Sequence, residues 1–149
     1  MKLSTKTRYG IRAMLELALN QSGKPLPIKQ IAERQGIPEP YLEQLMGALK
    51  KDGVVCSTRG AQGGYALTLP AGQISIGRII RVLEGSLAPV SCVEEEGACS
   101  HSDHCAMHLL YDRISRGFTG VLEAITLADM VADQRKLNAK PLCAGPTQN

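Results

Sequence analysis

Three cysteines and a histidine that could act together crowd into one short stretch, at Cys92, Cys99, Cys105 and His108. Thiolates and imidazole are soft or borderline ligands, so this set selects zinc, copper or an iron–sulfur cluster over magnesium or calcium. Cys105 and His108, at i and i+3, share one face at the first turn of a helix, where thiolates are also favoured electrostatically. Cys92 and Cys99 lie on a loop that can fold over them. A Cys3His set is a standard closed zinc site, yet structural zinc ligands usually come as close pairs, and here only Cys105 and His108 do. The wide, uneven spacings suit a larger object such as an iron–sulfur cluster, with zinc as the alternative. His101 and His104 are near enough to replace His108 but lack its helical placement. The bland reading is scattered reduced thiols beside a surface histidine.

The chain has 149 residues, room for one ordinary domain or a small domain with an appendage, and five cysteines in all. Residues 1–9 are polar and carry Lys2, Lys6 and Arg8, and no apolar run behind them is long enough for a signal peptide or a membrane span. The expectation is a cytoplasmic protein without membrane association, whose odd cysteine count points to metal or thiol chemistry rather than a disulfide framework. Cys56 reads as a small core residue and Cys143 as a bystander in the tail.

The elements that must position the cluster ligands are mostly helical. Ser4 caps a first helix reaching about Asn20, with Ile11, Met14, Leu15 and Ala18 at helical spacing. A short helix over residues 28–35 turns Ile28, Ile31 and Ala32 inward and stops at Gly36. Pro38 and Pro40 open a third helix with a buried stripe of Leu42, Leu45, Met46 and Leu49, ending at Gly53. Two helices joined by a tight turn, the second with polar side chains on its open face, form a helix-turn-helix pattern. Residues 54–69 read as a hairpin with a glycine-rich tip at Gly60, Gly63 and Gly64 and a basic residue, Arg59, at its base, which makes a wing.

Ser75 caps a fourth helix carrying Ile76, Ile79, Ile80 and Leu83 and closed by Gly85. Residues 86–104 lack apolar periodicity, and a structureless loop of that length is usually functional or disordered. Beyond it Met107, Leu110, Tyr111, Ile114, Phe118, Val121, Leu122 and Ile125 keep a helical period. So long a stripe needs a cover, and a second copy of the chain is the economical one. Thr126 and Asp129 form a capping box for a last short helix, followed by an unanchored tail. The fold class is therefore mainly α: a winged helix-turn-helix with a two-strand wing over residues 1–85, a cluster-binding loop over 86–104, a dimerisation helix and last short helix over 105–133, and a flexible tail over 134–149. A core with four Tyr, one Phe and no Trp fits small aliphatic helices.

Charge divides at the same place. Residues 1–81 hold twelve Lys or Arg against five Asp or Glu, a net +7, and residues 82–149 hold five against nine, a net −4, which together return the overall +3. A basic half suggests contact with a polyanion, and an acidic half some other task.

Both halves converge on one group of proteins. The stretches KLSTKTRYGIRAMLELAL at residues 2–19, IAERQGI at 31–37, YLEQLMGALKKDGVV at 41–55, RGAQGGYAL at 59–67 and ITLADMV at 125–131, with the Cys/His set, resemble the bacterial iron–sulfur cluster regulators of the IscR type. These sit within a wider family of small winged-helix, iron–sulfur or redox-sensing repressors. The resemblance implies a homodimeric transcription factor whose long helix pairs with its mate, and a 2Fe-2S cluster on Cys92, Cys99, Cys105 and His108. Relatives with a 4Fe-4S cluster use an acidic residue near the N-terminus, whereas position 8 here is Arg8.

On double-stranded DNA, with a palindromic operator expected for a dimer, the lysines and arginines of the basic half would neutralise phosphates. Sequence reading falls to Tyr41, Glu43 and Gln44 of the third helix, since Gln matches the adenine edge and Glu accepts from cytosine N4; the resemblance supports the same three. Arg59, beside Gly60, is placed for a minor groove. Ser4, Lys6 and Lys50 complete the candidate DNA-contacting set. An electron-transfer or cluster-carrier protein is the competing class, against which the wing and helix-turn-helix speak. An enzyme is not expected: no nucleophile–base pair or paired carboxylates stand out, and residues 60–64 lack the strand-then-helix setting of a phosphate loop.

Overall fold

Ser4 starts the first helix, α1 (Thr5–Leu19), its hydroxyl oxygen accepting from the Thr7 amide at 3.2 Å. The computed structural model describes residues 3–94, 99–101 and 104–139, so residues 95–98 and 102–103 of the expected cluster-binding loop, Cys143 and the tail over 140–149 lie outside the described residues. The buried stripe of α1 is rotated from the expected one: Thr7, Gly10, Ala13, Met14 and Leu17 are buried, while Ile11, Leu15 and Ala18 are half-buried. Thr7 can lie in the core because its hydroxyl donates to Glu84 at 2.5 Å, and polar groups enter cores only when so satisfied.

α2 (Ile28–Gln35) ends at Gly36, which takes the left-handed conformation and donates its amide back to the last turn. α3 (Glu39–Lys51) buries Leu42, Leu45, Met46 and Leu49 as its spacing predicts. β1 (Val55–Thr58) pairs antiparallel with β2 (Gly64–Leu67), Val55 opposite Leu67 and Ser57 opposite Tyr65. Leu26 joins β2 through an isolated antiparallel bridge, exchanging backbone bonds of 2.8 and 2.9 Å with Tyr65. Cys56 is exposed, contrary to expectation: strand side chains alternate, and with Val55 turned inward the next one must face out.

A 3₁₀ turn at Ala71–Gln73 leads to α4 (Ile76–Glu84), capped by Ser75, whose hydroxyl oxygen accepts from the Arg78 amide at 3.0 Å. Ile76, Ile79, Ile80 and Leu83 fill the centre of the core. The loop beyond is not wholly irregular, because Ser91–Glu94 forms one helical turn, α5. α6 (Ala106–Ala124) follows, and α7 (Leu127–Ala139) starts at the expected capping box, Thr126 N donating to Asp129 Oδ2 at 2.8 Å. α7 runs past the boundary expected at 133, so residues 134–139 are helical rather than tail. It also packs back on α1 and the 3₁₀ turn, burying Leu127 and Val131 in the winged-helix core.

Glu84 ties the end of α4 to the start of α1. Its carboxylate accepts from the Ser4 hydroxyl, from the Thr7 hydroxyl and, at 3.2 Å, from the Ser4 amide. The Ser4 and Thr7 hydroxyl bonds hold its pKa below the usual glutamate value. A group depressed in the folded state contributes stability that is complete above its unfolded pKa and is lost as pH falls through the folded one. Glu84→Gln is therefore expected to flatten the acid limb of the stability curve, read as melting temperature from about pH 7 down to about pH 3; parallel acid limbs in variant and parent would count against this tie.

Candidate nucleic-acid interface and metal centre

The buried stripe of α3 decides what its other face presents. Glu43 and Gln44 are exposed near its N-terminal end and Lys50 near its C-terminal end. Tyr41 is half-buried: its ring meets Tyr9 of α1 edge-on, centroids 6.0 Å apart, with the Arg12 guanidinium 5.8 Å from the Tyr9 centroid. Tyr41 is thus part of the packing between α1 and α3, and only part of it remains for a ligand. Arg12 in turn donates to the Gln35 side chain at 2.7 Å and to its backbone oxygen at 2.6 Å, joining α1 to the end of α2.

Lys50 Nζ donates to Ser57 Oγ at 2.6 Å, which links the exposed helix to the wing. The turn at the wing tip is closed by Gly63 N donating to Gly60 O at 2.9 Å, with Gly60 at φ 109°. Gly64 lies directly against the Leu26 backbone, where any Cβ would collide. Arg59 and Gly60 are exposed and share a groove with Lys29 on the first turn of α2. Lys29 is a cationic neighbour that pattern alone does not distinguish; its one signal is its place among the basic residues beside the turn. Lys6 is exposed, whereas the Ser4 hydroxyl is already engaged with Thr7 and Glu84.

The metal donors stand on three neighbouring pieces of chain. Cys92 lies in α5, Cys99 in the following segment, Cys105 at the N-cap of α6 and His108 in its first turn. All three thiols are free and half-buried. His108 Nδ1 is sealed from solvent with no hydrogen-bond partner, the one such side-chain atom among the described residues. A buried nitrogen left unpaired costs about 1–3 kcal/mol, a cost that ligation removes. His101 and His104 are exposed. Among the described residues no three His, Cys, Asp or Glu side chains stand together as a preformed metal site. α5, which carries Cys92, lies against α6, but the donors are not gathered, as is usual where ligand closure accompanies binding. Three thiols and an imidazole with an orphaned nitrogen fit an iron–sulfur cluster or zinc by their chemistry.

α6 buries none of its residues fully. Met107, Leu110, Ile114 and Val121 are exposed on it and Ile125 at its C-cap, at successive spacings of three, four, seven and four residues. Contiguous apolar surface of this kind marks an interaction site. Among the described residues no helix is long and apolar enough to cross a membrane.

The Rrf2 family profile, described as an iron-dependent transcriptional regulator, matches residues 3–133. The HTH-type transcriptional regulator IscR of Cronobacter sakazakii is 43% identical over 138 residues, covering 93% of this chain and 85% of that protein. Among solved structures, T. potens IscR superposes with a TM-score of 0.77 at 41% identity, over 95% of this chain and 94% of the other. CymR, the global cysteine regulator of B. subtilis, superposes with a TM-score of 0.70 at 38% identity, over 89% and 98%. These relatives are regulators, a non-enzymatic class.

Proposed function

Since the chain belongs to the Rrf2 family of iron-dependent transcriptional regulators and is of the IscR type, we propose that it is a homodimeric DNA-binding regulator that senses iron–sulfur cluster status, or redox or nitric oxide stress, through a 2Fe-2S cluster. It binds DNA as a winged helix-turn-helix regulator and is not an enzyme. In this reading it acts in the cytoplasm on a palindromic operator, with residues 1–85 as the DNA-binding unit and α6 pairing with its mate.

The observation that carries the reading is the buried, unpartnered Nδ1 of His108 one turn from Cys105. It favours His108 over the exposed His101 and His104 as fourth ligand. Cys92, Cys99 and Cys105 supply the thiolates, and α5 and its flanking segment close over the start of α6. When bound, the cluster supplies a one-electron couple and a core sensitive to oxidants. Arg8, hydrogen bonded to Thr5 Oγ1 at 3.1 Å, offers a cation where a four-iron site would need an acid.

At the operator, Lys6, Lys29 and Lys50 meet phosphates, Lys50 exchanging its bond to Ser57 for one to DNA. Gln44 and Glu43 meet base edges, Tyr41 offers its free edge, and Arg59 enters the minor groove with Gly60 allowing close approach. Glu43 is repelled by phosphates unless a cytosine amino group compensates for its desolvation, so it excludes some sites as well as selecting others. Selection from a random DNA library tests this. Glu43→Ala should accept more base identities at one position of each half-site, while Arg59→Ala should cost about 1–3 kcal/mol at a flanking A·T step. Identical site preferences in the parent and both variants would contradict the interface.

A further inference from the structure

We propose that Glu123 is the positioning residue that ties the metal-bearing helix to the DNA-reading body, and so sets how the state of the metal centre reaches α3. This rests on the cluster-sensing reading above. Cys105 and His108 stand at one end of α6 and Glu123 at the other, about 22 Å from His108 and about 27 Å from Cys105 along the helix axis.

The Glu123 carboxylate faces α4. Its Oε2 accepts from the Ser75 hydroxyl at 2.6 Å and its Oε1 pairs with Arg81. Ser75 is the N-cap of α4, so the acid is joined directly to a helix end. In the first turn of α4, Arg78 donates from Nε to Asp52 Oδ2 at 2.9 Å and from Nη2 to Asp52 O at 3.2 Å. Asp52 is the C-cap of α3. One chain of polar contacts therefore runs from the far end of α6, across the start of α4, to the end of the helix that carries Glu43 and Gln44.

Two backbone bonds secure the same elbow, Ile76 N to Ile125 O at 2.8 Å and Leu127 N to Ile74 O at 3.0 Å. Side-chain packing there is thin. Arg81 and Glu123 line an open cleft on each side, one with Ser75 and Thr126, the other with Ser115 and Thr119. No residue of α6 is fully buried, and besides the half-buried Leu122, which packs on the core, this post and the two backbone bonds fix its angle. Such a joint between rigid elements is where a two-state rotation can be set.

Gly77 makes the close approach possible. A Cβ at that position would stand 2.5 Å from Glu123 Oε1 and 2.8 Å from its Cδ. Gly77→Ala therefore displaces the carboxylate while leaving it in the chain, and alanine is a better helix former than glycine.

The test compares operator affinity of cluster-loaded and cluster-free protein for the parent, Glu123→Ala, Gly77→Ala and the double variant, with dimer mass and visible spectrum followed throughout. The parent ratio is expected within about 5–150-fold, the usual span of such coupling, and all three variants within about twofold of one, with dimer and spectrum kept. The double variant should match either single one, because both disable the same post. A parent-like ratio in either single variant overturns the role of Glu123 alone. A parent ratio near one overturns the sensing reading, and this inference with it.

Discussion

Replacing Val121 with aspartate is expected to convert the proposed dimer to monomer and to weaken operator binding by roughly 10²–10⁴-fold, the avidity lost when two linked half-site contacts become one. Val121 is 60% exposed, Leu110 48% and Ile114 43%, on a helix that lends no fully buried residue to its own chain. A second copy packed on this stripe buries it by the same two-fold operation that matches a palindrome. A carboxylate placed there loses its water without gaining a partner. The winged-helix core does not use this face, so circular dichroism should be unchanged while sedimentation shows the smaller species. A dimer with full operator affinity would remove α6 as the interface.

Much of this arrangement is legible in the sequence. Ser4, Gly36, Ser75 and the Thr126–Asp129 box mark element ends through local hydrogen bonds, which act over three or four residues and so are visible in a short window. The α3 stripe was equally plain because the helix buries one face only. Features that depend on several neighbours were not legible. α1 is flanked by α2, α3, α4 and α7, which turns its buried stripe toward Thr7, Gly10 and Ala13. α5 is a single turn, too short to show a period. The register of β1 turned Cys56 outward, and nothing between Val55 and Ser57 announces that direction. α7 separates its apolar and polar residues only weakly into two faces, and tertiary contact shows that Leu127 and Val131 belong to the core. At the site, donor identity could be read from the sequence, but the sealed environment of His108 and the Glu123 elbow could not.

His108→Ala is expected to lower retention of the iron–sulfur cluster by at least roughly 100-fold, beyond the 10–100-fold typical for loss of an outer partner of a metal ligand. The same change at His101 or His104, both exposed, should leave the cluster in place. His108→Cys should keep a cluster at lower reduction potential, since imidazole in place of thiolate raises it. Iron retained in full by His108→Ala, or lost on His101→Ala, would assign the fourth ligand elsewhere.

The most direct test of the central claim is an assay of iron, acid-labile sulfide and zinc in the full chain purified without oxygen. Coloured protein with iron and sulfide in equal amounts, about two of each per chain, is the predicted result. Colourless protein with about one zinc per chain and no sulfide would contradict it and make Cys92, Cys99, Cys105 and His108 a structural site.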